Sequence, residues 1–388
     1  MKADRNWVER NLGFDPISVP PPAATFSRAE AAWPAKSEDF QREIIDFDSE
    51  GTEGREFLAF STATGLSRFT DIPWPKGLEP RAAARLSRKA ASALPRADAL
   101  VVTWTVDEGH ALSRVLTPGK DSRNDYLSYT HNYATISKKM RNGCPAKEAK
   151  RLGAYWTTKI GGKSVVVFKS DSHMSQDGPQ LPNIDLWRQL IEEVRPKLVI
   201  TTGTAGGIGT KVEVGDVVVS SVVRFDCKSK FKNFKADGQP IASAHYSSAS
   251  SDGKYFAKAK SLFGVNAAQL PKDNTRPPKI LRVGPRSLDR CVLTTDFFGF
   301  DTSSNYYGLK GMGDVSEMGD AVLGLVAREM GDTAPPWLAI RNVSDPQIAS
   351  GTLSIRDQAK LAATIYKGYG RWSSVCSAIT CWAGIAAL

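Results

Sequence analysis

Residues 197–220, KLVITTGTAGGIGTKVEVGDVVVS, constrain this chain more than any other stretch. Leu198, Val199 and Ile200 form a short apolar, β-branched run that predicts a buried strand. Gly203, Gly206, Gly207 and Gly209 follow, with the small residues Thr204 and Ala205 among them, and read as a turn. Glycine there admits positive φ and lets backbone come close to a ligand. Residues 212–220 resume an apolar alternation, which predicts a second strand. A dinucleotide fingerprint with this glycine spacing would open directly into a helix, so that a pyrophosphate sits on the helix N-terminus. Here the glycines lead into VEVGDVVVSS, which has β character, so the Rossmann reading is rejected. Two readings stay open on pattern alone: a ligand-contacting turn and a tight strand–strand turn with no ligand.

The rest of the chain is read around this stretch. Its 388 residues and 41% hydrophobic content allow one large α/β domain with additions, or two domains. No run approaches the roughly 18 apolar residues of a spanning helix. The opening MKADRNWVERNLGFD has scattered charges and no apolar core, unlike a secretory signal. The five cysteines are scattered, with no CxxC pair and no Cys/His spacing that would hold a metal. Reduced thiols and a cytoplasmic location are expected, with no metal, no cofactor and no membrane partner. The net charge of +10 admits a polyanionic partner or a solvated basic surface. No nucleic-acid motif accompanies it, so a small phosphorylated ligand is the more economical functional use of the charge.

Along the chain, residues 1–95 read as an N-terminal extension. Within it, PISVPPPAA is an extended segment, 29–46 could be helical, 57–60 could be a strand, and the alanine-rich 80–94 predicts a helix. Residues 96–388 form the main domain. A strand is expected at 99–105 and a helix at 107–116. An insertion at about 120–156 includes a short basic helix near 138–150. A strand at 164–170 and a helix at 186–194 lead into the glycine-rich stretch. A second insertion at about 227–279 begins CKSKFKNFKADG, which could contact phosphate or form an amphipathic edge strand. Strands follow at 280–283, 290–295 and 337–343, with helices at 316–330 and 354–369. The apolar tail 376–388 is expected to pack on the body or on another subunit.

TTGTAGGIG followed by VGDVVVS resembles the signature of the nucleoside phosphorylase and nucleosidase superfamily. The likeness covers roughly residues 98–120, 164–226 and 290–346. It implies an α/β three-layer sandwich with a mixed central sheet, and members that are usually homo-oligomers. It implies cleavage of the N-glycosidic bond of a purine nucleoside or nucleotide. That chemistry builds positive charge on the sugar, so it needs an acid near N7 of the base, a flat apolar surface and a held nucleophile.

Residue by residue, RNVSD at 341–345 resembles the family's R-x-x-S-D motif, which makes Asp345 the N7 acid with Arg341 and Ser344 supporting it. From the residues alone, Ser344-Asp345-Pro346 could simply start a turn. Glu108 lies where the family's nucleosidases place the Glu that positions water. Asp107 competes with it, and either could be a helix-start acid. Thr204, Ala205 and Gly206 become substrate contacts. Phe298 matches a base-stacking phenylalanine, or packs in the core. In Glu317-Met318-Gly319-Asp320 the chain departs from the family's acid-Met-Glu pattern. Met318 falls under the ribose, but Gly319 stands where a hydroxyl-binding Glu is expected, so Glu317 or Asp320 would have to serve. The cationic turns that phosphorylases carry are missing at 103–107 and 201–202, which favours hydrolysis over phosphorolysis. The basic insertions suggest a 5′-phosphate on the substrate. A non-catalytic nucleoside-binding protein is the alternative that Gly319 favours.

Overall fold

A computed structural model describes residues 2–13, 69–228, 231, 238–243, 253–302 and 307–388. The strands are β1 (Arg81–Ala82), β2 (Ala99–Thr103), β3 (Leu127–Tyr129), β4 (Gly153–Ile160), β5 (Lys163–Ser170), β6 (Leu198–Gly207), β7 (Val217–Ser220), β8 (Val222–Phe225), β9 (Pro240–Ala242), β10 (Ile280–Val283), β11 (Val292–Thr294), β12 (Val315–Glu317) and β13 (Trp337–Asp345). The principal helices are α1 (Arg5–Leu12), α2 (Val106–Leu116), α3 (Pro182–Val194), α4 (Gly253–Leu262), α5 (Asp320–Met330) and α6 (Ile355–Ala386).

Among the described residues, one mixed sheet joins 13 strands in the order β1-β4-β5-β2-β6-β12-β11-β8-β9, with β3 beside β4, β13 beside β6 and β7, and β10 beside β7. β6 is its centre. It runs parallel to β2 on one side and to β13 on the other, and its last residues pair antiparallel with β12. Nine of its ten residues are buried, as a strand covered on both faces requires. The helices lie against the sheet as in a three-layer α/β fold. The carboxyl ends of β2, β5, β6 and β13 come together at one edge, where open α/β sheets place ligands.

Several expectations change. The glycines at 203, 206 and 207 form strand rather than turn, because β13 and β12 pair with them residue by residue. The first insertion ends before Gly153, since β4 is a full partner of β5. Its basic helix reduces to single turns at Ser137–Lys139 and Pro145–Glu148. Residues 80–94 are not helical: Arg81 and Ala82 pair with β4, and the Trp156 indole N–H donates to the Ala83 carbonyl. That edge pairing outweighs alanine's helix propensity. The helix expected at 316–330 starts at Asp320, with 315–317 drawn into the sheet. The helix at 354–369 continues through the apolar tail to Ala386, a rod of about 48 Å. Cys376, Cys381 and Trp382 on it are fully buried, so the tail packs on the body of the same chain.

The expectations for 16–24, 29–46 and 57–60, and most of those for 227–237, lie outside the described residues. No helix among the described residues is long and apolar enough to cross a membrane. α1 lies across α6: Trp7 meets Tyr369 edge to face, and the Tyr369 hydroxyl donates to the Asn11 carbonyl at 3.0 Å. Ala3 forms a bridge to Ile348, three residues beyond Asp345.

Candidate active site

The strand ends enclose a cavity of about 480 Å³, of the size small-molecule sites take. Glu108, Thr204, Ala205, Gly206, Phe298, Glu317, Met318, Arg341, Ser344 and Asp345 all line it. The eleventh candidate, Asp320, does not. It is fully buried behind the wall, where it accepts from the Arg341 Nε–H at 2.7 Å and from the Thr201 hydroxyl. It is the counter-ion of Arg341 and is removed from the substrate contacts.

Asp345 ends β13, just past an irregularity in the pairing with β6. Its Oδ1 accepts from the Ser344 hydroxyl at 2.9 Å, and its Oδ2 has no partner. Burial pushes its carboxyl up to about 7, with Ser344 opposing only in part. Asp345 therefore holds or yields a proton near neutrality. The wall opposite Oδ2 must be small: a Cβ on Gly206 would stand 3.1 Å from that oxygen and 3.0 Å from the Gly299 carbonyl.

Glu108 is built by a capping box at the start of α2. The Thr105 hydroxyl accepts from the Glu108 N–H at 3.2 Å, and Glu108 Oε2 accepts from the Thr105 N–H at 3.0 Å. The same carboxylate takes the Thr103 hydroxyl at 2.9 Å and the Trp104 N–H at 3.1 Å. On Oε1 it takes the Thr204 N–H at 2.6 Å and the Thr204 hydroxyl at 2.7 Å. Burial works to raise this carboxyl, but Arg341 and the donors from Thr105 and Thr204 outweigh it and hold it below the usual range. Gly203 makes room: a Cβ there would lie 2.3 Å from the Glu108 carboxyl carbon, and its φ of +152° suits glycine. Asp107, the competitor, does not line the cavity; it faces Arg371.

Arg341 ties the floor together. Beside Asp320 it lies 3.3 Å from Glu317 Oε2 and 3.9 Å from Glu108 Oε1, and it donates to the Thr204 carbonyl at 3.2 Å. Glu317 in turn accepts from the N–H groups of Gly319 at 2.6 Å and Asp320 at 2.9 Å, and from the Thr294 hydroxyl. It thereby caps α5, whose cap residue Gly319 has no side chain to offer.

Sequence reading missed Trp104, Lys169, Asp171, His173 and Tyr366, which also line the cavity. Trp104 follows β2 directly, and KSDSH closes β5, so their places at the carboxyl ends of sheet strands were the available signal. Lys169 is paired with Asp171 at 2.5 Å, and Arg151 meets the same carboxylate at 2.6 Å. Burial lowers His173 to about 4, so its imidazole is neutral. From the first insertion, Gly143, Pro145, Glu148 and Ala149 reach the cavity, while its lysines do not line it.

Residues 129–366, more than half of the chain, match the phosphorylase superfamily, and the chain belongs to that family. A 36-residue stretch is 58% identical to a 5′-methylthioadenosine/S-adenosylhomocysteine nucleosidase of Chromohalobacter salexigens, spanning 9% of this chain and 15% of that relative. Among solved structures, the nucleosidase of that name from Neisseria meningitidis, in complex with methylthio-immucillin-A, aligns over 75% of this chain and all of its own at 15% identity and a TM-score of 0.45. Futalosine hydrolase of Helicobacter pylori aligns over 74% of this chain and 96% of its own, at 12% identity and a TM-score of 0.44.

Proposed function

We propose that this protein hydrolyses the N-glycosidic bond of a purine nucleoside or nucleotide and releases the free base. The observation that carries the proposal is the pair of unlike carboxyls in one cavity: Asp345, raised to about 7 with Oδ2 unpartnered, and Glu108, held ionised. Environments that push two carboxyls apart are the usual basis of an acid and a base in one site.

In this reading the bond from C1′ to N9 breaks, its electron pair moves into the base, and the Asp345 proton goes to N7. Phe298 offers the base a partly exposed aromatic face. The sugar cation forms beside the Glu108 carboxylate, which stabilises it through space. Water then adds to C1′, and the proton it loses passes through solvent to the Asp345 carboxylate, which restores the acid for the next turnover. Glu108 already holds several donors, so it is a weak base. A cation is a strong electrophile, and little base strength is needed. Hydrolysis is favoured over phosphorolysis because the cations lining the cavity among the described residues, Arg341 and Lys169, are already matched by carboxylates. A phosphate dianion needs cationic donors that are not already spent. The lysines of the first insertion lie outside the cavity, which leaves the 5′-phosphate reading without a contact there.

Chromatography of purine release from adenosine, inosine, methylthioadenosine and AMP, with and without phosphate, tests the proposal. Base released without phosphate, and lost in Asp345→Asn, is the expected result. Release only with phosphate would make the protein a phosphorylase. Binding without release would support the non-catalytic alternative, which Gly319 and the saturated Glu108 favour.

A further inference from the structure

One wall of the cavity lies outside the sheet. Gly143, Pro145, Glu148 and Ala149 of the first insertion form one part of it, and His173 and Gln176, just after β5, form another. The two segments meet behind the lining. The Arg141 N–H donates to the Asp177 carbonyl at 2.8 Å, and the Arg141 Nε–H donates to the Gln176 carbonyl. The single turns Pro145–Glu148 and Met174–Asp177 pack on each other, and the second also packs on α3.

At this junction lies a carboxyl that the glycosidic chemistry does not use. Asp177 is fully buried, and so is Cys144, whose thiol lies beside it. Asp177 Oδ2 accepts from the Ser172 hydroxyl at 2.5 Å, and Oδ1 is left without a hydrogen-bond partner at normal geometry. Burial pushes the carboxyl up to about 7, and Ser172, the His173 backbone, Arg141 and Cys144 oppose it only in part. The charges around it are otherwise engaged. Arg141 faces Asp177 with its Nε–H committed to Gln176. Lys147 donates to Asn142 Oδ1 at 3.0 Å, and on α3 Asp185 is paired with Lys139 at 2.5 Å. His173 is neutral, its Nδ1 hydrogen-bonded to Ser175 Oγ at 2.8 Å.

We propose that Asp177 is a pH-sensitive latch on the cavity wall: protonated, it lets segment 141–149 dock on the turn after β5, and ionised, it releases that segment and opens the cavity. A carboxylate held out of water with no paired cation is costly. The least disruptive way to rehydrate it is to lift the insertion, which is attached by a few bonds and two single turns, rather than to part the strands. The sign follows from the raised proton affinity. Docking gains from the neutral carboxyl below pH 3.8 and loses that contribution as pH rises toward 7. The latch holds whatever the cavity cleaves.

Hydrogen exchange followed by mass spectrometry reads it without turnover, on the full chain at pH 5 and pH 8.5, corrected for the intrinsic pH dependence of exchange. Protection at the amides of Arg141, Lys147 and Glu148, which are bonded to Asp177 and Cys144 carbonyls, should fall by about tenfold or more at pH 8.5. The amides of β6 should not change. Asp177→Asn, which cannot ionise, should keep the protection at both pH values. Asp345→Asn should still show the fall, because it removes a different raised carboxyl. Equal protection at the two pH values in the wild type, as when Arg141 turns to pair with the ionised carboxylate, would overturn the latch. A fall of the same size in Asp177→Asn would also overturn it. Should that variant not fold, the wild type decides: a fall confined to 141–149 and 173–177 supports the latch, and a fall shared by β6 overturns it.

Discussion

Asp345 and Glu108 face the same cavity and are buried alike, at 2% and 3% exposure, yet their carboxyls behave oppositely. Asp345 receives one hydroxyl and keeps a bare oxygen; Glu108 receives five donors and has Arg341 at 3.9 Å. Burial raises both, and Arg341 together with the donors on Glu108 reverses it there. The lesson concerns β6 and α2 as much as the acids. Strand β13 delivers Asp345 to a wall of Gly206 backbone, whereas Glu108 is wrapped by two segments whose N–H groups converge on it.

The largest break in this contrast is Asp345→Asn, which removes the proton and keeps the shape. Base release should fall by about 10²–10⁴, with the far-ultraviolet circular dichroism spectrum unchanged. The same variant should be more stable than wild type at alkaline pH. A buried carboxyl raised from 3.8 to about 7 binds its proton more tightly when folded, so it stabilises below pH 3.8 and loses that contribution as pH rises toward 7. The full difference is about 4 kcal/mol, of which thermal melts at pH 5 and pH 8.5 would capture roughly 3 kcal/mol, because part is already lost by pH 5. A wild type as stable at pH 8.5 as the variant would refute the raised proton affinity.

Next in size is Gly203→Ala, which drives a methyl into the Glu108 carboxyl and strains a left-handed φ. A loss of roughly 2–4 kcal/mol is expected, read by urea denaturation. Gly119→Ala, at a positive φ with nothing within 4 Å, isolates the strain component. The pH profile sharpens the contrast without mutation. Activity as kcat/KM should decline above about pH 7 as Asp345 ionises. The acid limb should lie well below the ordinary range of glutamate, because Glu108 resists protonation. Smallest is Thr204→Val. It takes away one of the five donors, costs about 1 kcal/mol, and should move the acid limb upward.

The two acids were singled out by the family resemblance, and their placement at element ends followed from local signals. WLAIRNV is an unbroken apolar run that delivers Asp345 to a sheet edge, and Thr105-x-x-Glu108 is a capping box. The glycines were recognised as the centre of the fold but misjudged as a turn. What keeps them extended is the pairing with β12 and β13, whose residues are more than a hundred positions away in the chain. Trp104, Lys169 and His173 carried no periodic signal. Their importance comes from which strand ends meet, a property of the sheet order. Asp320 shows the converse: it stood beside the right residues in the chain, and one step of helix turned it behind the wall toward Arg341.

Ala3 and α1 are held by residues far along the chain: Ala3 on Ile348, Trp7 on Tyr369, Arg10 on Asp273. During synthesis none of these partners has emerged when residues 2–13 leave the ribosome. That segment must wait, undocked, until most of α6 has been made. Its docking is then among the last events of folding, and it completes a hold on the loop after Asp345 that Asp301 and Thr302 already provide in part. Freshly released chains should therefore gain protection at the amides of Ala3 and Ala349 together, and later than along β6.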